Sequence, residues 1–213
     1  MLSNGNNVDV IYLDFSKAFD KLDFNTLLIK LKKYGVTGKL GRWLHSFLTD
    51  RNQFVTINGF MSSMCSVLSG VPQGSVIGPL LFLVFINDID DDIIRSFLSS
   101  FADDTRVGAA VNNLSDVQHL QDDLDKVYLW AESNNMRLNS SKFELLCYGN
   151  NCVGDSHNYF SSSGELIPPS TDVKDLGVMM SASADFSCHI DNEKFLASEA
   201  SISFERSEKE MKF

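Results

Sequence analysis

The chain has 213 residues, 44% of them hydrophobic, with a formal net charge of −10. That is enough apolar material for one ordinary domain with a buried core. No run of about 18 apolar residues and no basic-then-apolar leader marks a membrane span or a secretory signal, so the expected location is intracellular, in nucleus or cytoplasm.

The acidic balance argues against a stand-alone nucleic-acid binder, because phosphate contacts need a basic face. The charge is uneven, however: residues 1–51 hold 8 Lys and Arg against 5 Asp and Glu, and residues 52–213 hold 10 against 23. A phosphate-rich partner is therefore expected near the first fifty residues, with metal ions needed elsewhere. Cys65, Cys147, Cys152 and Cys188 form neither CxxC pairs nor a dense framework, which points to thiols rather than zinc ligands or disulfides.

In chain order, VDVIYLDF (8–15) reads as a buried strand with a carboxylate, Asp14, at its exit. DFNTLLIKLKKYG comes next as a helix, with a polar start at Asn25 and a stop at Gly35. Leu40, Trp43, Leu44, Phe47 and Leu48 then recur at helical spacing and predict a second helix whose stripe packs into the core. QFVTING and FMSSMCSV predict a hairpin around Asn58-Gly59. SGVPQGSVIGP is a Gly/Pro loop, with Pro79 suited to the first turn of the helix LLFLVFINDI. FLSSFA and TRVGAAV read as short strands flanking Asp103 and Asp104, which places that pair at a hairpin tip. Ser115-x-x-Gln118 predicts the start of a helix with Val117, Leu120, Leu124 and Val127 on one face. KFELLCYG is a further strand, and DLGVMM a short strand-like island in a polar stretch. The last twenty or so residues are charged and weakly periodic, and disorder is expected there.

An Asp pair alone is most simply a turn. If the strand ending at Asp14 lies beside the Asp103–Asp104 hairpin in one antiparallel sheet, three carboxylates meet at one edge. They would raise one another's pKa unless cations share the site. Mg²⁺ takes carboxylate, phosphate and water oxygens together, and two such ions about 3.5–4 Å apart can drive nucleotidyl transfer. A calcium loop at NDIDDD (87–92) is the weaker reading, since it lacks the Gly and distal Glu of an EF-hand.

YLDFSKAFD, SGVPQGSVIGPLLF, FADDT and LNSSKFELLCYG resemble, in order and spacing, the palm motifs of reverse transcriptases encoded by non-long-terminal-repeat retrotransposons. The resemblance covers residues 8–150, with an echo at 175–190. It implies an α+β, polymerase-like palm, a small antiparallel sheet backed by helices. It also implies RNA-directed DNA polymerase chemistry with two Mg²⁺ ions, Mn²⁺ being a possible substitute. The implied partners are an RNA template with a DNA primer and deoxynucleotide triphosphates, with no membrane. Asp14, the backbone carbonyl of Phe15, Asp103 and Asp104 would hold the metals. Phe19 would lie under the incoming sugar and exclude a 2′-hydroxyl, while Gln73 and Gly74 would support the template base and nucleotide. Lys142 would protonate pyrophosphate; a solvated surface lysine is the rival reading.

Two positions depart from the family: Phe24 stands where His is common, and Phe143 where a small polar residue is usual. The expected division is a palm domain at 1–150, a weakly ordered palm/thumb junction at 151–190 and a disordered tail at 191–213. A basic fingers region is expected to be largely missing and the thumb absent or degenerate, so the isolated chain is expected to be inactive. The alternative is a catalytically inactive retroelement remnant or an interaction module.

Overall fold

The computed structural model describes residues 7–149, 157–184 and 187–192. The start of the expected junction, at 151–156, and nearly all of the expected tail fall outside the described residues.

Strand β1 (Val8–Leu13) leads through a short helical turn, α1 (Ala18–Lys21), into α2 (Phe24–Lys33) and α3 (Gly38–Thr49). Next come four two-residue strands, β2 (Asn52–Gln53), β3 (Thr56–Ile57), β4 (Phe60–Met61) and β5 (Cys65–Ser66), and then helix α4 (Gly78–Ile86). The hairpin β6 (Phe97–Phe101)–β7 (Asp104–Ala110), helix α5 (Leu114–Ser133) and strand β8 (Glu144–Tyr148) complete the centre. Beyond it lie β9 (Pro169–Ser170) and the hairpin β10 (Asp172–Asp175)–β11 (Val178–Ser181). The main sheet has the order β6-β7-β1-β8-β9, antiparallel except for the β8–β9 pair. This is the expected α+β architecture.

Strand alternation gives β1 two different faces. Ile11 and Leu13 enter the main core with Leu22, Leu27, Phe82, Phe85, Leu120 and Leu124. Val8 and Val10 enter a smaller cluster with Leu146, Tyr148 and Val173, against which Tyr12 and Met180 pack. The helices thus cover one face, and the β10–β11 hairpin covers part of the other.

Asp9 lies on the helix-covered face and is completely buried. The Tyr159 hydroxyl donates to its Oδ2 at 2.8 Å, and His157 Nδ1 lies 3.0 Å from the same oxygen. Burial beside this carboxylate pushes the Tyr159 hydroxyl pKa up. The segment after residue 156 is thereby tied to β1 by a buried polar contact.

Several local expectations change. Helix α2 is capped by Asp23, whose side chain accepts from the Thr26 backbone at 2.7 Å, rather than starting at Asn25. Helix α5 is capped by Asn113, which accepts from Asp116 N, while Asp116 accepts from Asn112 N. This closes a reciprocal box two residues ahead of the Ser115 pattern. The Asn58-Gly59 turn forms as expected, with φ of 49° and 82°, the left-handed values a tight hairpin requires. In α3 only Leu44 and Leu48 are buried, whereas Leu40 and Trp43 stand more than half exposed. The two atypical phenylalanines are core residues: Phe143 is 1% exposed and packs on Tyr128, and Phe24 is buried beneath the Arg51 guanidinium. In the 87–92 segment, Asp88 accepts from Lys30 and from the Trp130 indole, so its carboxylate is already committed to the fold.

Candidate active site

Asp14 comes directly after β1, and Asp104 opens β7. The register Leu13↔Thr105 makes them neighbours across the strand pair. Phe101 pairs with Asp104, so Ala102 and Asp103 form the two-residue tip, with Ala102 at φ 55°. By strand parity Asp14 falls on the same side as Tyr12, away from the helices. Asp104, Arg106, Tyr12 and Glu144 line the same cavity as Asp14, about 170 Å³ in volume. Partial loss of water pushes the Asp104 carboxyl up, and the charges of Asp103 and Asp14 push it further. The three carboxylates expected from the sequence are therefore close enough to interact.

Lys142 is brought to the same place. It ends a 3₁₀ turn, Ser140–Lys142, that is anchored where Asn139 N donates to the Asp14 carbonyl at 2.8 Å. Its Nζ lies 3.3 Å from Asp14 Oδ2. The β10–β11 hairpin reaches the cavity as well: Arg106 pairs with Asp175, and Val173, Lys174 and Leu176 line the wall. Sequence reasoning passed over Arg106, although its i+2 spacing from Asp104 on one strand was a usable signal. Nothing local in the sequence marks Asp175 as its partner.

The remaining candidates do not line this cavity. Phe15 is buried, edge-on to Trp130. The Phe19 ring is partly buried and stacks on Phe82 at 4.5 Å. Gln73 lines a separate groove of about 510 Å³ and donates from Nε2 to Asp20 Oδ1 at 2.9 Å. The PQG loop is zipped onto the α1 turn: Gly70 N donates to Leu22 O, Val71 N to Phe19 O, and the Ser69 hydroxyl to Asp20 O. Glycine is sterically required at Gly70, where an added Cβ would lie 2.7 Å from the Asp20 and Phe19 backbone. Gly74 sits at φ 79° with open space around it. The resemblance of the PQG motif singled out Gly74 and gave no reason to prefer Gly70.

Among the described residues, no three or more His, Cys, Asp or Glu side chains close around a point as a ready-made ion cage. What Asp14, Asp103 and Asp104 offer is a set of hard oxygen donors, one of which, Asp104, has its pKa raised by partial burial and then by the charges of the other two. Such a partial set suits an ion that shares its coordination with phosphate and water.

The model of the family described as "Reverse transcriptase (RNA-dependent DNA polymerase)" matches residues 2–184. The RNA-directed DNA polymerase from mobile element jockey of Drosophila melanogaster is 33% identical over 195 residues, covering 85% of this chain and 20% of that protein. The probable RNA-directed DNA polymerase from transposon X-element of the same species is 30% identical over 189 residues, covering 84% and 20%. The chain thus spans about a fifth of the length of these relatives. Among solved structures, apo telomerase from Candida tropicalis truncated from the C-terminal domain superposes with a TM-score of 0.59. It does so at 14% identity, over 84% of this chain and 35% of that one. Telomerase from Candida albicans in complex with the TWJ fragment of telomeric RNA superposes at 0.58 and 12% identity, over 84% and 30%. At these identities the structural likeness concerns the fold.

Proposed function

The chain belongs to the reverse transcriptase family, in the branch encoded by non-long-terminal-repeat retrotransposons, and on that premise we propose that it forms the palm of an RNA-directed DNA polymerase. Residues 1–150 are the palm in this reading, 151–190 a junction between palm and thumb, and 191–213 a tail. The substrates are an RNA template, a DNA primer and deoxynucleotide triphosphates.

Asp14, Asp103 and Asp104, with the Phe15 carbonyl, would hold two divalent ions, Mg²⁺ by preference and Mn²⁺ as a substitute. Bound there, such ions lower the pKa of the attacking hydroxyl and stabilise the leaving phosphate. The chain's own residues do the positioning. Asp14 is held by the backbone bond to Asn139 and by Lys142. Lys142, more than half exposed beside it, would be the group to protonate a departing pyrophosphate. The stacked Phe19 ring offers a wall against a 2′-hydroxyl. Gln73, fixed by Asp20, and Gly74 present a loop to the template base.

The single observation behind this reading is that Asp14 and the Asp103–Asp104 tip, far apart in sequence, adjoin on the uncovered side of the sheet with their charges coupled. The test is primer extension on an RNA template with Mg²⁺. It uses a chimaera in which this chain replaces the matching stretch of the jockey polymerase, alongside its Asp103→Asn/Asp104→Asn variant. Extension lost in the variant supports the assignment. Equal extension in both removes it, and a chimaera that folds without activity returns the chain to the inactive alternative.

A further inference from the structure

Residues 24–49, which hold α2 and α3, contain Lys30, Lys32, Lys33, Lys39 and Arg42 and no Asp or Glu. In a chain of net charge −10, the remainder then carries 13 Lys and Arg against 28 Asp and Glu. In space these cations divide into two groups. Lys30 is used internally: it is 7% exposed, donates to Phe85 O and Asp88 Oδ1, and lies over the Phe85 and Trp130 rings. Arg51, just beyond, donates to Leu48 O and Gly70 O. Lys32, Lys33, Lys39 and Arg42 remain exposed, and none is within ion-pair distance of an acidic side chain among the described residues.

Exposed rings stand among these cations. Trp43 is 53% exposed, Tyr34 57%, and Trp43 stacks on Phe47 with centroids 5.4 Å apart. Lys39, Arg42 and Trp43 fall at i, i+3 and i+4, on one exposed side of α3. Between the two helices runs a groove of about 580 Å³, lined by Leu28, Leu31, Val36 and Leu44 and edged by Lys32 and Arg42.

From this we infer that the outer face of α2 and α3 is a docking surface for single-stranded RNA, separate from the carboxylate cavity. The proposal rests on the polymerase reading for the choice of an RNA partner. Four unneutralised cations without an interspersed acid attract a polyanion and would repel few of its phosphates. Exposed aromatic rings beside the charges select a single strand, because only unpaired bases present their faces for stacking. An acidic protein surface would be drawn by the same charges, yet gains less from the rings. The surface would hold template outside the reaction centre, so that affinity for RNA does not depend on a cavity lined by carboxylates.

The experiment measures fluorescence anisotropy of a labelled 15-nucleotide unstructured RNA against salt, for the chain and two variants. Lys32→Gln/Lys39→Gln/Arg42→Gln should weaken binding at least tenfold at about 0.1 M salt and reduce the salt slope by about 2, since each single-strand phosphate contact contributes roughly 0.7. Trp43→Ala should weaken binding roughly five- to hundredfold while leaving the slope alone, the signature of lost stacking. RNA should also quench Trp43 emission, and Trp43→Phe should abolish that component. All four positions are exposed, and circular dichroism checks that the fold is kept.

Wild-type affinity and slope in the triple variant would overturn the inference, as would a chain that binds no RNA. So would sedimentation revealing a dimer that Trp43→Ala dissociates while RNA affinity stays unchanged. Asp14→Asn separates this inference from the catalytic reading. It should leave anisotropy binding intact while removing extension in the chimaera, so either proposal can fail without the other.

Discussion

Asp9 and Asp14 stand on the same strand region, five residues apart, and the two faces of the sheet turn them into different objects. Asp9 points under the helices, is fully buried, and is closed off by Tyr159 and His157. Asp14 lies at the strand's exit on the side the helices leave uncovered, where Lys142, Asp104 and solvent reach it. Burial and hydrogen bonding make the first carboxylate a fastening between β1 and the segment beyond residue 156. Partial exposure leaves the second open to solvent, to Lys142 and to the charge of Asp104. Residue type is the same in both cases; strand parity and what lies above the strand decide the role.

The sharpest way to break this contrast is to neutralise each carboxylate. Asp14→Asn, assayed in the chimaera by primer extension, should lower the rate at least about a thousandfold, the loss of roughly 4 kcal/mol of transition-state stabilisation. Its melting temperature should hardly move. Extension within tenfold of the parent would detach Asp14 from the chemistry. The fastening is tested from its other end: Tyr159→Phe keeps the ring and removes the donor, leaving Asp9 buried with one partner fewer. The expected cost is about 1–3 kcal/mol, read as a melting temperature several degrees lower, with the rate of the folded fraction unchanged. A variant as stable as the parent would mean that the buried bond contributes nothing net.

The two sides also differ in how far they are legible in the sequence. The uncovered side is legible because Asp14, Asp103 and Asp104 sit at the ends of readable strands, and the resemblance to reverse transcriptase palm motifs adds Lys142 without reference to tertiary contacts. The helix-covered side is legible in its apolar stripes, which place Leu44, Leu48, Leu120, Leu124 and Val127 correctly in the core. Asp9 is not marked, because nothing local says that a tyrosine 150 residues later will cover it. Leu40 and Trp43 fail in the opposite sense: a helical period reports an amphipathic face but not whether the rest of the molecule packs against it. Lys30 and Arg51 look like surface cations for the same reason. Only tertiary contacts reveal that Phe85, Asp88 and Gly70 have taken them.

Phe19 belongs to the helix-covered core only in part: it stacks on Phe82 of α4 yet is only partly buried. If its outer edge walls the sugar site, Phe19→Ala should raise ribonucleotide incorporation relative to deoxynucleotide incorporation by roughly ten- to hundredfold, the span expected when a small steric difference is read by a pocket. The comparison of kcat/KM for paired nucleotides measures this directly. A folded variant whose selectivity is unchanged would make Phe19 a residue of the covered side alone.

The smallest effect concerns the repulsion on the open side. Partial burial first, then Asp103 and Asp14, hold the Asp104 carboxyl above its ordinary value. A raised pKa in an acid means that the folded state favours the protonated form. Its stabilising contribution is complete below the unfolded carboxylate pKa of about 3.9 and is lost as pH rises through the higher folded value. At pH 7 the ionised Asp104 therefore works against folding, and Asp104→Asn should melt above the parent. Because the group is exposed, solvent screening holds the gain to a few tenths of a kcal/mol, or roughly 1 °C. The gap should close as pH falls toward 4, where the parent's carboxyl takes up its proton. It should also narrow on adding millimolar Mg²⁺, which would stabilise the parent by binding the carboxylates that the variant has depleted. Paired thermal melts across pH 4–8, with and without Mg²⁺, resolve all three. A variant less stable than the parent at pH 7, or a gap that Mg²⁺ widens, would mean that the three carboxylates do not form one electrostatic unit.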